Sequence, residues 1–226
     1  ARLPPRRDGP RPVELDARVG SSWEPVVERS GSSPHVYVAS TRRPGMVPVH
    51  GIARHGDGPG EVLRAFTSQI HPVFMLPPLA ASAFGAVLAN RVDPSLLGLH
   101  LLAAFAALYT AHVKDGYVDF HHRGEDDDHP LTVRGCRLGL VGATVGFLAC
   151  LGALAALTEP IAVAIAAPMW AIGYLHAPQF DTNPVTTTLG YPVGIGLCLL
   201  TGYAAQTGSL ATRPLALAAV LVTVLA

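Results

Sequence analysis

Two aspartates, Asp115 and Asp119, stand four residues apart in the segment Ala111-His-Val-Lys-Asp-Gly-Tyr-Val-Asp-Phe-His-His-Arg-Gly-Glu-Asp-Asp-Asp-His-Pro-Leu-Thr. On a helix this spacing places both carboxylates on one face, one turn apart. Adjacent carboxylates repel, and a hard divalent cation relieves the repulsion. Mg²⁺ accepts one or two carboxylates and completes its octahedron with water and phosphate oxygens. The pair therefore outlines a diphosphate site. Six of the sixteen acidic residues lie between Asp115 and Asp128, a density that a plain solvated loop would also show. The acids begin, however, at the edge of a long apolar stretch, where ionisable groups are costly and tend to be functional.

The residues around the pair carry two readings each. Lys114, Arg123 and Arg134 could give charge-assisted contacts to a diphosphate, or supply only the positive charge usual in loops beside a membrane. Tyr117 and Tyr174 could orient a substrate or stabilise positive charge with their rings, or sit as interfacial aromatics. His121, His122 and His129 suggest a zinc group. Adjacent histidines on a helix point about 100° apart, so Asp119, His122 and His129 would converge only through a folded loop. His100 and His176 read as structural or cavity-lining. Cys136, Cys150 and Cys198 are odd in number and widely spaced, with no metal-ligand spacing to the histidines, and read as reduced and buried.

The elements that must position these groups are apolar helices. Of 226 residues half are hydrophobic and 14% charged, well under the quarter expected of a soluble domain. The chain divides near residue 69. Ten arginines precede that point, with many Pro and Gly, and long apolar runs follow it. Residues 1–65 read as a mostly unstructured cytoplasmic arm, with a short hairpin possible around His35–Ala39 and Met46–Val49. Gly60–Ser68 reads as a short amphipathic approach helix. At about 20 apolar residues per crossing, spans are expected at Ile70–Asn90, Ser95–Lys114, Leu138–Thr158, Ile161–Tyr174 (extendable to about Ala177), Leu189–Gln206 and Pro214–Ala226. Residues 66–226 would thus form an all-α bundle of about six spans. Pro72, Pro77 and Pro78 predict a kinked entry to the first span. Gly142 and Gly146 give the third a small-residue stripe, expected to pack inside the bundle.

Charge sets an expected orientation. With the arm in the cytoplasm, Lys114, Arg123, Arg134 and Arg137 share its side, against Arg91 and Arg213 opposite. The positive-inside rule then favours a multi-pass protein of the cell membrane with its acidic loop cytoplasmic.

Asp115-Gly-Tyr117-Val-Asp119, with His129-Pro-Leu-Thr132 downstream, resembles the first Asp-rich motif of the UbiA-type intramembrane prenyltransferases and its tail. Ile70-His-Pro72 resembles that family's entry to helix one. Tyr174-Leu-His-Ala-Pro178 is similar to its loop after helix four, and Gly202–Gly208 to the end of helix five in menaquinone-type members. The matches cover roughly residues 64–226 in the family's order. The chain departs from the pattern at Arg123, which stands at the third acidic position, and at Gln179 and Phe180, where a basic residue is usual. The family's second Asp-rich motif follows helix six, so the expectation is that the chain as given stops short of it. Asp181 is the one acid after Glu159.

The resemblance implies Mg²⁺-dependent transfer of an isoprenyl chain from its diphosphate to a lipophilic or aromatic acceptor. Asp115, Asp119 and Tyr117 would be catalytic, and Asp115 and Asp119 the metal ligands. Lys114, Arg123, Arg134 and Tyr174 would contact substrate. The expected partners are an isoprenyl diphosphate, a hydrophobic acceptor and membrane lipid, not nucleic acid. A non-catalytic or cation-binding bundle of the same fold is the alternative. Transport fits less well, because the later spans hold almost no ionisable groups. CDP-alcohol phosphotransferases would need Asp-Gly-x-x-Ala-Arg, whereas Asp115-Gly116 is followed by Tyr-Val-Asp.

Overall fold

The computed structural model describes residues 51–226; the hairpin expected near residues 35–49 and the arm up to residue 50 lie outside them. Seven helices follow one another: α1 Pro59–Thr67, α2 Pro72–Leu88, α3 Pro94–Val118, α4 Val133–Leu157, α5 Pro160–Leu175, α6 Pro184–Thr207 and α7 Thr212–Leu225. Single π-helical turns extend α3 through Asp119–Arg123 and α5 through His176–Phe180. No β-strand forms among the described residues.

The helix starts are written locally. Proline occupies the first turn of α1, α2, α3, α5 and α6, where its missing N–H costs nothing. Asp93, Thr132 and Asn183 cap α3, α4 and α6 by accepting from backbone N–H groups. Gly208 ends α6 in the left-handed conformation, φ +68°, the usual helix stop.

Four helical segments are long and apolar enough to cross a membrane: Pro94–Arg123, Val133–Leu157, Pro160–Phe180 and Pro184–Thr207. α1 and α2 pass that test only together and are bent by 65° at Ser68–His71, so the crossings number four, or five with the bent pair. α7 is apolar but shorter, at 14 residues. The bend falls where the three prolines predict an irregular entry.

The core is built on small residues. Ala103, Ala104, Ala106 and Ala107 of α3 are buried against α5 and α6, with Phe147, Met169 and Leu199 filling between them. α2 packs most extensively on α6, at a very close approach. A side chain at Gly85 would strike the Leu199 carbonyl, and one at Gly202 the Ser82 carbonyl. The stripe read from the sequence lies elsewhere: Gly142 and Gly146 have no atom within 4 Å of a Cβ position, and Val141, Val145 and Leu148 beside them are more than half exposed. These two glycines line an open apolar groove shared with Phe66 of α1 and Phe105 and Tyr109 of α3 rather than a tight helix contact, and α4 is the most peripheral of the long helices. Of that set Gly139 alone packs inward, on Phe66 and Val113.

Residues 51–58, read from the sequence as the end of a loose arm, are tied to the acidic loop. Ala53 bridges Leu131, Arg54 N–H donates to the Pro130 carbonyl at 2.8 Å and Thr132 N–H to that of Ile52 at 3.0 Å. Arg54 also reaches Asp128 at 2.9 Å and lies over the Phe120 ring. The backbone pairings join residues 76 to 80 positions apart in sequence, which local pattern does not reveal.

Candidate functional site

Asp115 lies in the last turn of α3, and Asp119 begins the π turn that follows. The two carboxylates share one face, as their spacing predicts. A third joins them. Ala177 leaves helical geometry (φ −116°, ψ 136°) ahead of Pro178, the extended conformation a following proline favours. The chain then turns back, and one carboxylate oxygen each from Asp115, Asp119 and Asp181 lies within 4.8 Å of the other two. Motif reading passed Asp181 over because it is 62 positions from Asp119; its only sequence signal was to be the lone acid in an apolar half.

Arg123 holds this cluster together. Its guanidinium donates to Asp181 through two nitrogens, at 2.6 and 3.1 Å, and to Asp119 at 3.1 Å. The hydrogen bond from Arg123 holds the Asp181 carboxyl below the usual carboxylate range, against a smaller desolvation effect. Arg123 and Asp181 are therefore partners across 58 positions of sequence. Arg123→Asp leaves four carboxylates facing one another and should lower the thermal midpoint, while Arg123→Asp/Asp181→Arg restores the pair and most of that loss. Thermal unfolding in detergent reads both.

Asp115 and Asp119, with Asp126, border a cavity of about 550 Å³ between α2, α3, α5 and α6; Asp181 joins them from outside its lining. Its walls are small and apolar, with Ala104, Ala107, Ala111, Gly173, Gly190 and Gly194 leaving the room. Polar groups gather at one end: Asp115, Asp119 and His176, whose Nε2 is 3.9 Å from Asp115, and beyond them Gln69, His71, His112 and His129. His71 and His112 stack at 4.7 Å. Burial lowers the pKa of His129, a shift opposed by its contact with the Leu131 carbonyl. The site is thus a slender apolar chamber with an acidic, histidine-lined mouth.

The other sequence-named residues fall beside the chamber rather than in it. Lys114 Nζ sits 4.6 Å above the Tyr174 ring, which stacks on Trp170. Tyr117 packs on His121 and His122. Arg134 is exposed on the first turn of α4. None of these four lines the cavity. His100 is structural, buried with Nε2 3.0 Å from the Cys198 carbonyl oxygen. All three cysteines are free.

No family model matches this chain, and no curated protein does. The chemistry of the site rests on its own geometry. Three clustered, partly exposed carboxylates are a hard-oxygen donor set, which suits Mg²⁺ with water and phosphate completing the shell.

Proposed function

We propose that the chain is a UbiA-type intramembrane prenyltransferase, moving an isoprenyl group from its diphosphate to a lipophilic or aromatic acceptor. The observation that carries this is the meeting of Asp115, Asp119 and Asp181 where the first two line an apolar cavity. A substrate with a polyanionic head and a greasy tail fits such a place, head at the carboxylates through a cation and tail among the alanines and glycines.

In this reading Asp115, Asp119 and Asp181 hold Mg²⁺, which when bound would neutralise the departing pyrophosphate. Arg123 is within reach of the same ligand and is positioned to contact a phosphate once it releases the carboxylates. The allylic C–O bond breaks, its electron pair leaves on the diphosphate, the acceptor bonds to the freed carbon, and the acceptor's C–H or O–H proton is released to water or the departing pyrophosphate. The apolar walls keep water from that carbon. Lys114, Arg134, Tyr117 and Tyr174 act, if at all, from outside the chamber. α2 and α7 also cross on this reading, giving six spans, and the positive-inside count puts the acidic mouth in the cytoplasm of a cell-membrane protein.

The alternative, a cation-binding or inert bundle, draws on the fact that Arg123 already satisfies two of the carboxylates. Membranes carrying the chain, given a labelled isoprenyl diphosphate and Mg²⁺ over a panel of quinone-precursor and lipid-alcohol acceptors, should form a prenylated product that chelation abolishes. Mg²⁺ binding without turnover would favour the alternative.

A further inference from the structure

His121, His129 and Cys136 bring one donor atom each to within 4.8 Å of the other two. They come from the π turn, the acidic loop and the first turn of α4. The histidine set suggested by the sequence is thereby changed. His122 is exposed and outside the cluster, and its place is taken by a cysteine whose spacing gave no sign of ligation.

The state of the side chains goes beyond proximity. His129 is only 4% exposed, and its Nε2 is buried without a hydrogen-bond partner. An orphaned buried ring nitrogen costs free energy and calls for an explanation such as an ion. The other nitrogen, Nδ1, lies 3.1 Å from the Leu131 carbonyl oxygen. Leu131 N–H also points at Nδ1, at 3.2 Å, so Nδ1 meets both a donor and an acceptor; in the tautomer that donates to the carbonyl the Nε2 lone pair is free, the arrangement of a metal-bound histidine oriented by a backbone carbonyl. His121 Nε2 lies 3.1 Å from that same oxygen, so one carbonyl orients both rings. Cys136 is fully buried and free.

We propose that His121, His129 and Cys136 form a second metal site, for a borderline transition-metal ion of the zinc class. Two imidazoles and a thiolate are donors that Zn²⁺ favours, whereas Mg²⁺ requires oxygen. This site is therefore chemically separate from the carboxylate cluster. Bonds of about 2.0–2.1 Å to nitrogen and about 2.3 Å to sulfur place donors roughly 3.3–3.7 Å apart, so binding draws these atoms together by about 1 Å. The thiol releases its proton as the Zn–S bond forms, and a fourth position stays open to water. The bound ion ties the π turn and the loop to α4, fixing the backbone two residues beyond Asp119.

The test is a Co²⁺ titration of the purified full chain in detergent micelles. A thiolate-to-cobalt charge-transfer band should grow to a plateau at about one equivalent, disappear on adding Zn²⁺ and survive about a hundredfold excess of Mg²⁺. Cys136→Ser should remove the band, and Cys150→Ser should keep it. His129→Gln should weaken Co²⁺ binding by ~10-fold or more, with His122→Gln leaving it unchanged. No band in the parent chain, a band surviving Cys136→Ser, or displacement by Mg²⁺ overturns the site. Should Cys136→Ser fail to fold, the contrast between His129→Gln and His122→Gln decides: equal affinities reject the proposal.

Discussion

Asp115→Ala and Asp119→Ala are each expected to lower Mg²⁺-dependent prenyl transfer by ~10²-fold or more, the usual scale for removing a group that stabilises developing charge. Both side chains border the cavity, and each supplies an oxygen to the cluster. Asp181→Ala separates two roles for the third carboxylate. As a cation ligand, Asp181 should on removal raise the Mg²⁺ concentration needed for half-maximal rate. As a mere counterion for Arg123, it should give the same phenotype as Arg123→Ala, with the Mg²⁺ requirement unchanged. The measurement is product formed from a labelled isoprenyl diphosphate across a Mg²⁺ series. Parent-like rates in the Asp115 and Asp119 variants would sink the site assignment.

Gly85→Ala and Gly202→Ala are expected to be the most damaging single-methyl additions in the bundle, each costing roughly 1–3 kcal/mol by overpacking. At both positions the new carbon meets a backbone carbonyl of the facing helix. A backbone atom cannot turn aside as a side chain does, so α2 and α6 must separate. Those helices also wall the cavity, through Phe74 and Pro78 on one side and Tyr191 and Cys198 on the other, so activity should fall with stability. Gly142→Ala and Gly146→Ala are the controls. Nothing lies near their Cβ positions, and alanine favours a helix by about 1 kcal/mol over glycine, so they should be neutral or slightly stabilising. Thermal unfolding in detergent, read by size-exclusion fluorescence, compares the four. A Gly202→Ala chain as stable as the parent would show that the close approach is not what holds the pair.

Several elements were legible because their causes are local. Proline at the first helical turn, a capping Asp, Thr or Asn and a glycine stop are each written within a few residues of the helix end, but hydropathy alone began the third and fifth spans at Leu138 and Leu189, where α4 and α6 start at Val133 and Pro184. Long apolar runs gave the bundle. The four-residue step from Asp115 to Asp119 placed two carboxylates together, since helical periodicity alone decides it. Arg123, which stood at an expected acidic position, and Asp181, the one acid after Glu159, had no evident link in the sequence. Only their contact at 2.6 Å shows them as partners.

What hydropathy could not decide was which apolar face turns inward, because lipid and protein core are equally apolar. Gly142 and Gly146 therefore looked like a packing stripe and proved to line an open groove, while Gly85 and Gly202 carry the tight contact.

The amino-acid sequence by itself determined a bundle of apolar helices, four or five of them long enough to cross a membrane, and one pair of carboxylates, through composition and helical period. The tertiary structure alone decided that Asp181 completes an acidic triad, and that Cys136 joins His121 and His129. It alone tied residues 51–55 to the acidic loop. Each of these depends on a reversal of chain direction between segments far apart in sequence, and no local propensity encodes where two such segments meet.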